Sequence, residues 1–211
     1  MSNGVSPGRP GATSRRAVLD AARRMVESGG AASVSMRKLA AELGVAPPSI
    51  YRHAGSREQV LNQLVDELLD ELGEIHAVGD APAERIASIA RTIRRQVRDH
   101  PELVDLAHEL GRGPATSFPG QVALAREVSA AGLSGADAAH AVRAVLFLVG
   151  GFILLEGLPP PPTGTPPTQA LWRKVKDNGI EPGLLAEMRK APNTDDLFEF
   201  SLSNLLSSLL T

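Results

Sequence analysis

Hydrophobic positions recur at helical spacing over most of this 211-residue chain. A short helix face with i, i+3, i+4 and i+7 spacing is formed by Met36, Leu39, Ala40 and Leu43. Gly44 follows it and offers the backbone freedom of a tight turn. Pro47 and Pro48 then suit the first turn of a second helix, where missing N–H groups cost little. Because Ile50 would face inward against the first helix, the pattern predicts a helix-turn-helix.

Longer apolar repeats lie on both sides of this motif. One begins at Ser14 and stops at Gly29-Gly30, and another follows a Ser56 cap and runs to Leu72. Residues 1–13 are rich in Gly, Pro and Ser, which predicts a disordered arm. We therefore divide the chain into this arm, a helix-turn-helix domain with its linking helix at 14–72, and a second helical domain at 73–211.

The second domain is predicted to contain helices alone. They are expected at about 82–99, 101–110, 119–131, 137–156, 169–177 and 182–190, followed by a last helix from Asn193 or Thr194. Pro119 is expected to start its helix after a loop, and Ser134 with Asp137 resembles a capping box. The segment 158–168 is a proline-rich connection, expected to be stiff and exposed. The predicted fold is all-α.

Composition narrows the class of protein. The chain is 43% hydrophobic but only 3% aromatic, which favours helices over strands. It has no cysteine, so disulfides and thiolate metal sites are excluded. Its first residues lack the apolar core of a signal peptide. The longest apolar run, residues 144–155, is shorter than the about 20 residues that span a bilayer, so we interpret it as a buried helix and expect a cytoplasmic protein without membrane contact.

The charge is unevenly distributed. Residues 1–57 carry a formal charge of +6, the remainder carries −8, and the net charge is −2. A basic N-terminal segment followed by an acidic remainder is typical of a protein with one end facing nucleic acid. It does not suit a nonspecific DNA binder, which would need basic charge over its whole surface.

The run LAAELGV and the run SIYRHAGSREQVL, within residues 39–61, resemble the DNA-binding domain of the TetR family of bacterial repressors. The resemblance covers about residues 12–72 and continues more weakly to the C-terminus. It implies that Tyr51 and Arg57 contact phosphates and that Arg37 reaches a base edge, which suits the forked guanidinium. The candidate DNA-binding residues are Ser35, Arg37, Lys38, Pro47, Pro48, Ser49, Tyr51, Arg52, His53 and Arg57.

Two positions depart from the family pattern. Ala46 stands where many relatives have a Ser or Thr cap, which weakens the start of the second helix of the motif. Ala54 stands where relatives have a bulky apolar residue, and looser docking is expected there.

Two predicted helices, at 137–156 and 195–210, are too apolar for the surface of a monomer. In the family the corresponding pair meets its symmetry mate in a four-helix bundle, and Gly150-Gly151 would permit close approach. The predicted homodimer interface comprises Val142, Leu146, Phe147, Gly150, Phe152, Ile153, Phe198, Leu202 and Leu205.

The resemblance also implies a small-molecule inducer pocket in the second domain. Its candidate residues are His100, His108, Leu146, Val149 and Glu156. Gly73 and Ala90 stand where tetracycline-sensing members have a His and an aromatic residue, so neither tetracycline nor a metal is expected. No cofactor is expected either.

The favoured hypothesis is a dimeric transcriptional regulator that a small-molecule inducer releases from a palindromic DNA operator. A ligand-dependent activator and a nonspecific architectural DNA-binding protein remain as alternatives. An all-helical enzyme has no support, since the chain has no cysteine nucleophile, no Gly-rich phosphate loop and no HExxH spacing.

Overall fold

The computed structural model describes residues 14–157, 162, 164, 167–176 and 179–210, except for the side chains of residues 114–117. The predicted disordered arm at residues 1–13 and most of the predicted connection at 158–168 lie outside the described residues. Every regular element in the described part is helical, which confirms the all-α prediction.

The described helices fall close to the predicted ones. A short 3-10 turn, Ala31–Ser33, joins α1 to α2. The helices are α1 Arg15–Gly29, α2 Met36–Glu42, α3 Pro47–Ala54, α4 Arg57–Leu72, α5 Pro82–Asp99, α6 Pro101–Glu109, α7 Gly113–Ala130, α8 Gly135–Glu156, α9 Thr168–Trp172, α10 Pro182–Met188 and α11 Thr194–Leu209.

Serine side chains cap three of the first four helices. Ser14 accepts a hydrogen bond from the Ala17 amide, and Ser35 accepts one from the Lys38 amide at 3.2 Å. Ser56 forms a full capping box, in which it accepts from the Gln59 amide while the Gln59 side chain accepts from the Ser56 amide at 2.8 Å. These bonds satisfy N–H groups that the helix itself leaves without acceptors, which explains why the sequence placed these starts correctly.

Glycine is required at two turns around α3. Gly44, between α2 and α3, has φ 65°, and Gly55, between α3 and α4, has φ 80°. A Cβ at Gly55 would also lie 2.1 Å from Oε1 of Gln59, the capping-box side chain. The turn before α4 therefore depends on the absence of a side chain.

Two predicted helix boundaries and one predicted capping box in the C-terminal part were wrong. α7 begins at Gly113 rather than at Pro119, which lies inside the helix. A proline removes one backbone hydrogen bond, and an 18-residue helix tolerates this loss. Ser134 occupies the N-cap of α8 but makes no side-chain cap hydrogen bond, so the predicted capping box does not form. The predicted helix at 169–177 ends early, since α9 stops at Trp172.

The structure forms two compact units. One runs to Ile75 and also includes Arg95–Gly120, and the other comprises His76–Arg94 and the described residues from Gln121 onward. The first unit thus combines the helix-turn-helix with α6, which the sequence assigned to the second domain. Leu103 and Leu106 of α6 belong to the same buried cluster as the core residues of α1 to α4.

The second unit has a charged residue at the centre of its packing. Arg94 of α5 is only 6% exposed, and its guanidinium pairs with Glu156 of α8 and, at 2.7 Å, with Asp195 of α11. It also lies over the rings of Phe152 and Phe198, with its carbon 4.5 Å from the Phe198 centroid. The hydrogen bond to Glu156 raises the pKa of Arg94, so the buried guanidinium stays charged, and the paired carboxylates compensate that charge. This cluster holds α5, α8 and α11 together.

Helix α8 is less buried than predicted. Only Ala141, Val145 and Val149 are buried, whereas Phe147 is 80% exposed. The prediction that this helix is buried is therefore wrong for a single copy of the chain. α8 is long and apolar enough to cross a membrane, but length and composition alone are weak grounds for that assignment.

We expect the serine N-caps of α4 and α8 to contribute differently to the free energy of unfolding. Ser56→Ala removes a capping box and should lower the free energy of unfolding by about 1 kcal/mol. Ser134→Ala is the matched control and should change it by less than about 0.5 kcal/mol, because that hydroxyl makes no cap bond. Urea unfolding followed by circular dichroism measures both, and equal losses would contradict the described cap geometry.

Candidate nucleic-acid interface

Helix α3 has one buried face and one exposed face. Ile50 is fully buried and Ala54 is nearly so, and both belong to the core cluster that contains Leu39 of α2. On the other face Tyr51 is 54% exposed, and Arg52 is exposed beside it. The remaining predicted contact residues of α3 are the exposed Pro47, Pro48 and His53 and the half-buried Ser49. The fold therefore directs most of the predicted α3 contacts outward.

The start of α2 adds a second set of polar groups. Arg37 and Lys38 are exposed, and the hydroxyl of the half-buried Ser35 caps the helix. The Lys38 ammonium donates to the Ser33 carbonyl at 3.1 Å, which keeps this charge near the beginning of α2. α2 and α3 thus present cations from two adjacent helices.

The cations of residues 14–57 fall into two groups, those that pair with an acidic side chain and those that do not. Four arginines pair with acids: Arg16 with Asp20 and Glu67, Arg23 with Glu71, Arg24 with Glu42 and Arg57 with Glu109. In the part of the chain that the structure describes, no acid pairs with Arg15, Arg37, Lys38 or Arg52. Three of these four lie on α2 and α3. An anion would reach these side chains without first displacing a carboxylate.

The arginines of α1 have structural partners instead. The Arg23 guanidinium donates to Glu71 of α4 at 2.7 Å and holds the pKa of that carboxyl below its usual range. A carboxyl with a lowered folded-state pKa stabilises the protein above its unfolded pKa, and this contribution is lost as the pH falls through the folded value. Arg24 donates twice to Oε1 of Glu42, at 3.1 and 2.7 Å, which ties α1 to α2. Arg23 and Arg24 therefore hold α1 against α4 and α2.

Arg57 is the predicted contact residue with the most internal partners. Its Nε donates to the Val34 carbonyl at 2.9 Å, and one terminal nitrogen donates to the Ala31 carbonyl at 2.7 Å. The same nitrogen pairs with Glu109 at 3.1 Å. Its predicted phosphate contact stays a prediction.

The sequence did not reveal these acidic partners. Asp20 lies four residues after Arg16 on one helix, a spacing that does indicate a pair. Glu42, Glu71 and Glu109 lie far along the chain from their arginines, and only folding brings them together. The buried Arg94 cluster was missed for the same reason, since nothing marks this arginine among those of α5.

The five predicted pocket residues fall in different units. His100 and His108 belong to the first unit: His100 precedes α6 with Nδ1 3.3 Å from Oε1 of Glu102, and His108 is exposed. Leu146, Val149 and Glu156 lie on α8 in the second unit, and Glu156 is engaged by Arg94. No group of three or more His, Cys, Asp or Glu in the described residues is arranged to hold a metal ion. The pocket stays a prediction.

The predicted dimer residues also divide into two sets. Phe198 and Leu202 were wrongly placed at the interface, because they are fully buried in the core of their own unit. Phe147 and Gly150 are exposed, and four more are half-buried on α8, namely Val142, Leu146, Phe152 and Ile153, as is Leu205 on α11. Exposed apolar side chains that were not predicted lie on the same two helices: Leu154, Leu155, Leu197 and Phe200.

The comparisons with known proteins agree with this geometry. The profile of bacterial regulatory proteins of the tetR family matches residues 18–64, the segment that runs from α1 to α4. Residues 18–64 therefore carry the DNA-binding domain of the TetR family. Members of this family are DNA-binding transcriptional regulators, and a helix-turn-helix of this kind binds DNA through its second helix.

Individual relatives cover different parts of the chain. The regulator BetI of Rhizobium meliloti is 31% identical over 94 residues, which span 43% of this chain and 46% of BetI. A transcriptional regulator of Saccharopolyspora erythraea is 26% identical over 178 residues, which span 82% of this chain and 67% of that protein. The likeness to BetI thus concerns less than half of that relative.

Solved structures extend the likeness to the whole fold. Apo ActR of Streptomyces coelicolor matches with a TM-score of 0.69 at 20% identity, covering 97% of both chains. ActR in complex with actinorhodin matches with a TM-score of 0.67 at 21% identity, covering 94% of this chain and 97% of that one. The C-terminal helices of this chain therefore share their fold with those of ActR.

Unpaired and paired arginines should differ in DNA binding. Arg52→Ala should reduce the slope of log affinity against log salt concentration by about 0.9, the value for one lost phosphate contact. Arg24→Ala removes the same charge from an arginine that Glu42 already neutralises, and should leave the slope nearly unchanged. Fluorescence anisotropy with duplex DNA at four salt concentrations measures both slopes. A larger change for Arg24→Ala would refute the division of the cations.

Proposed function

We propose that this chain is a homodimeric, ligand-responsive repressor that binds a palindromic operator and leaves it when a small molecule binds to the C-terminal helices. The proposal is carried by two observations: three of the four unpaired cations of residues 14–57 lie on α2 and α3, and an apolar face is left exposed on α8 and α11. The chain then acts by binding alone, in the cytoplasm, without catalysis or a cofactor.

The DNA-facing surface supports sequence-selective binding rather than general adhesion. Arg37 at the start of α2 has a free, forked guanidinium, which suits the O6 and N7 acceptors of a guanine. Tyr51 and Arg52 suit the phosphate backbone, which fixes position without reading sequence. Lys38, Ser35 and His53 would add backbone contacts. Pro47, Pro48 and Ser49 would lie where α3 meets the base edges, with the prolines suited to a thymine methyl group.

The exposed face of α8 and α11 supports a two-fold dimer. Phe147 and Phe200 are 80% and 68% exposed, and Leu154 and Leu155 extend the same apolar surface. Such a surface is a liability in a monomer. No neighbouring atom lies within 4 Å of a Cβ built at Gly150 or Gly151, so a second helix would meet no obstacle there. A two-fold axis would place two recognition helices about 34–36 Å apart, one turn of B-DNA.

The ligand response rests on the likeness to ActR, which has been solved with actinorhodin bound. A ligand lowers operator affinity only if it binds the DNA-free arrangement of the dimer more tightly than the DNA-bound one. The predicted pocket residues His100, His108, Leu146, Val149 and Glu156 are the first positions to vary once an inducer is in hand.

Selection from a random pool of duplex DNA tests the proposal. We expect the purified protein to enrich a palindrome with half-sites one helical turn apart, bound by an even number of subunits. Repeating the selection with Arg37→Ala should relax the preference at one base pair per half-site, at a cost of about 1–3 kcal/mol. A uniform loss over all sequences would refute the base-reading role of Arg37.

Other outcomes of the selection decide between the remaining functions. No enriched sequence, together with binding that fades as salt rises, would show a nonspecific binder and overturn the proposal. An enriched site that raises expression of a reporter gene placed behind it would show an activator instead of a repressor.

The exposed apolar face gives a separate prediction about assembly. Phe147→Asp should convert the dimer to a monomer in sedimentation velocity, because two carboxylates would be buried at the two-fold axis. Val78→Asp is the matched control: Val78 is 71% exposed but lies outside α8 and α11, so its substitution should leave the dimer intact. A dimer that survives Phe147→Asp would exclude this face as the interface.

A further inference from the structure

The start of α4 and the start of α2 are joined by one side chain. Arg57 is the first residue of α4, whereas Val34 lies immediately before Ser35, the N-cap of α2. Nε of Arg57 donates to the Val34 carbonyl at 2.9 Å, and its Nη2 donates to the Ala31 carbonyl at 2.7 Å. Val34 and Ala31 are both buried, and buried carbonyls need donors from within the protein. The Ala31 carbonyl also accepts from the Val34 amide at 3.1 Å.

The same guanidinium also reaches α6. Its Nη2 lies 3.1 Å from Oε1 of Glu109, the last residue of that helix. The pair is half-exposed, at 38% for the Arg57 side chain and 42% for that of Glu109. Three elements of the first unit therefore meet at one cation: the segment that enters α2, the first turn of α4 and the end of α6.

We propose that Arg57 is a positioning residue for DNA binding, which fixes the entry of α2 on the start of α4 and, through Glu109, ties both to α6. Arg37 and Lys38 are two and three residues after the Ser35 N-cap, so the orientation of α2 sets where these side chains lie. DNA affinity then depends on Glu109, an acidic residue of α6 outside the helix-turn-helix. This inference rests on the proposed sequence-selective binding and extends it to the support of α2 by a residue of α6.

A direct phosphate contact by Arg57 makes different demands. A phosphate ligand needs only a positive charge, so lysine should replace it well and alanine should remove one counterion from the salt dependence. The positioning role needs a planar guanidinium that donates to two carbonyls and a carboxylate at once. The single ammonium of lysine does not reproduce this geometry. Salt dependence and lysine replacement therefore distinguish the two roles.

The test uses the full-length protein and the duplex selected from the random pool. Arg57→Lys and Arg57→Ala should each weaken binding to that duplex about 10-fold, as expected for the loss of charge-assisted hydrogen bonds, without changing the salt slope. The concentration of active protein is measured by stoichiometric titration, and thermal unfolding is recorded for each variant, so that loss of folded protein is not mistaken for loss of affinity. Lysine that restores affinity, with a salt slope reduced by about 0.9 in the alanine variant, would identify a phosphate ligand and overturn the proposal.

The role of α6 is tested by Glu109→Gln, with Asp66→Asn as its matched control. Asp66 of α4 pairs with Arg112, just after α6, at 2.6 Å, so both substitutions remove one negative charge and one ion pair between α4 and the α6 region. Glu109→Gln should weaken operator binding several-fold, although it makes the protein more positive, whereas Asp66→Asn should leave binding unchanged or slightly stronger. Equal behaviour of the two variants would overturn the link to α6.

A double-mutant cycle completes the test. If Glu109 acts through Arg57, Glu109→Gln should have no further effect in the Arg57→Ala background. Additive effects would show that Glu109 acts elsewhere. Failure of the wild-type protein to enrich any sequence would refute the proposed function itself, which separates that outcome from failure of the Arg57 inference.

Discussion

The apolar core shared by α1 to α4 and α6 is the constraint on which the DNA-facing geometry depends. Ile50 is fully buried among residues of the neighbouring helices, and this burial fixes the rotation of α3 about its axis. Once Ile50 and Ala54 face inward, Tyr51 and Arg52 must face outward, because side chains one position apart on a helix point about 100° apart. The same core includes Leu103 and Leu106, so α6 is part of the support of the DNA-binding helices.

Ion pairing then determines which of the surface cations remain available to a phosphate. An arginine that already has a carboxylate partner gains less from a phosphate, since the existing pair must be broken or shared. Glu42, Glu71 and Glu109 occupy Arg24, Arg23 and Arg57 in this way. The cations of residues 14–57 that remain unpaired are Arg15 on α1 and three on α2 and α3. The positive charge available to DNA is therefore smaller, and more localised, than the composition of the first 57 residues suggests.

The second unit has ion pairs in its interior and exposed apolar side chains on its surface. Inside, α5, α8 and α11 are held together by Arg94, which contacts two carboxylates and two aromatic rings. The outer sides of α8 and α11 carry phenylalanine and leucine side chains that the described part of the chain leaves exposed. A helix pair with a paired inner face and an apolar outer face is suited to a second copy of itself, and this is the surface that the proposed dimer would cover.

Local chemistry in the sequence was sufficient for the all-α class, for the four N-terminal helices and for most later helix boundaries. Serine caps, glycines with positive φ and apolar spacing act within a few residues, so they are visible without a fold. Pro119 was misjudged because tolerance of a proline depends on the length of the helix around it. Only the tertiary structure decided which arginines have acidic partners on other helices, and that Arg57 meets α6, because these groups are brought together from 18 or more positions apart. Only the tertiary structure decided that Phe198 and Leu202 are core residues, because that depends on the direction in which a helix face packs.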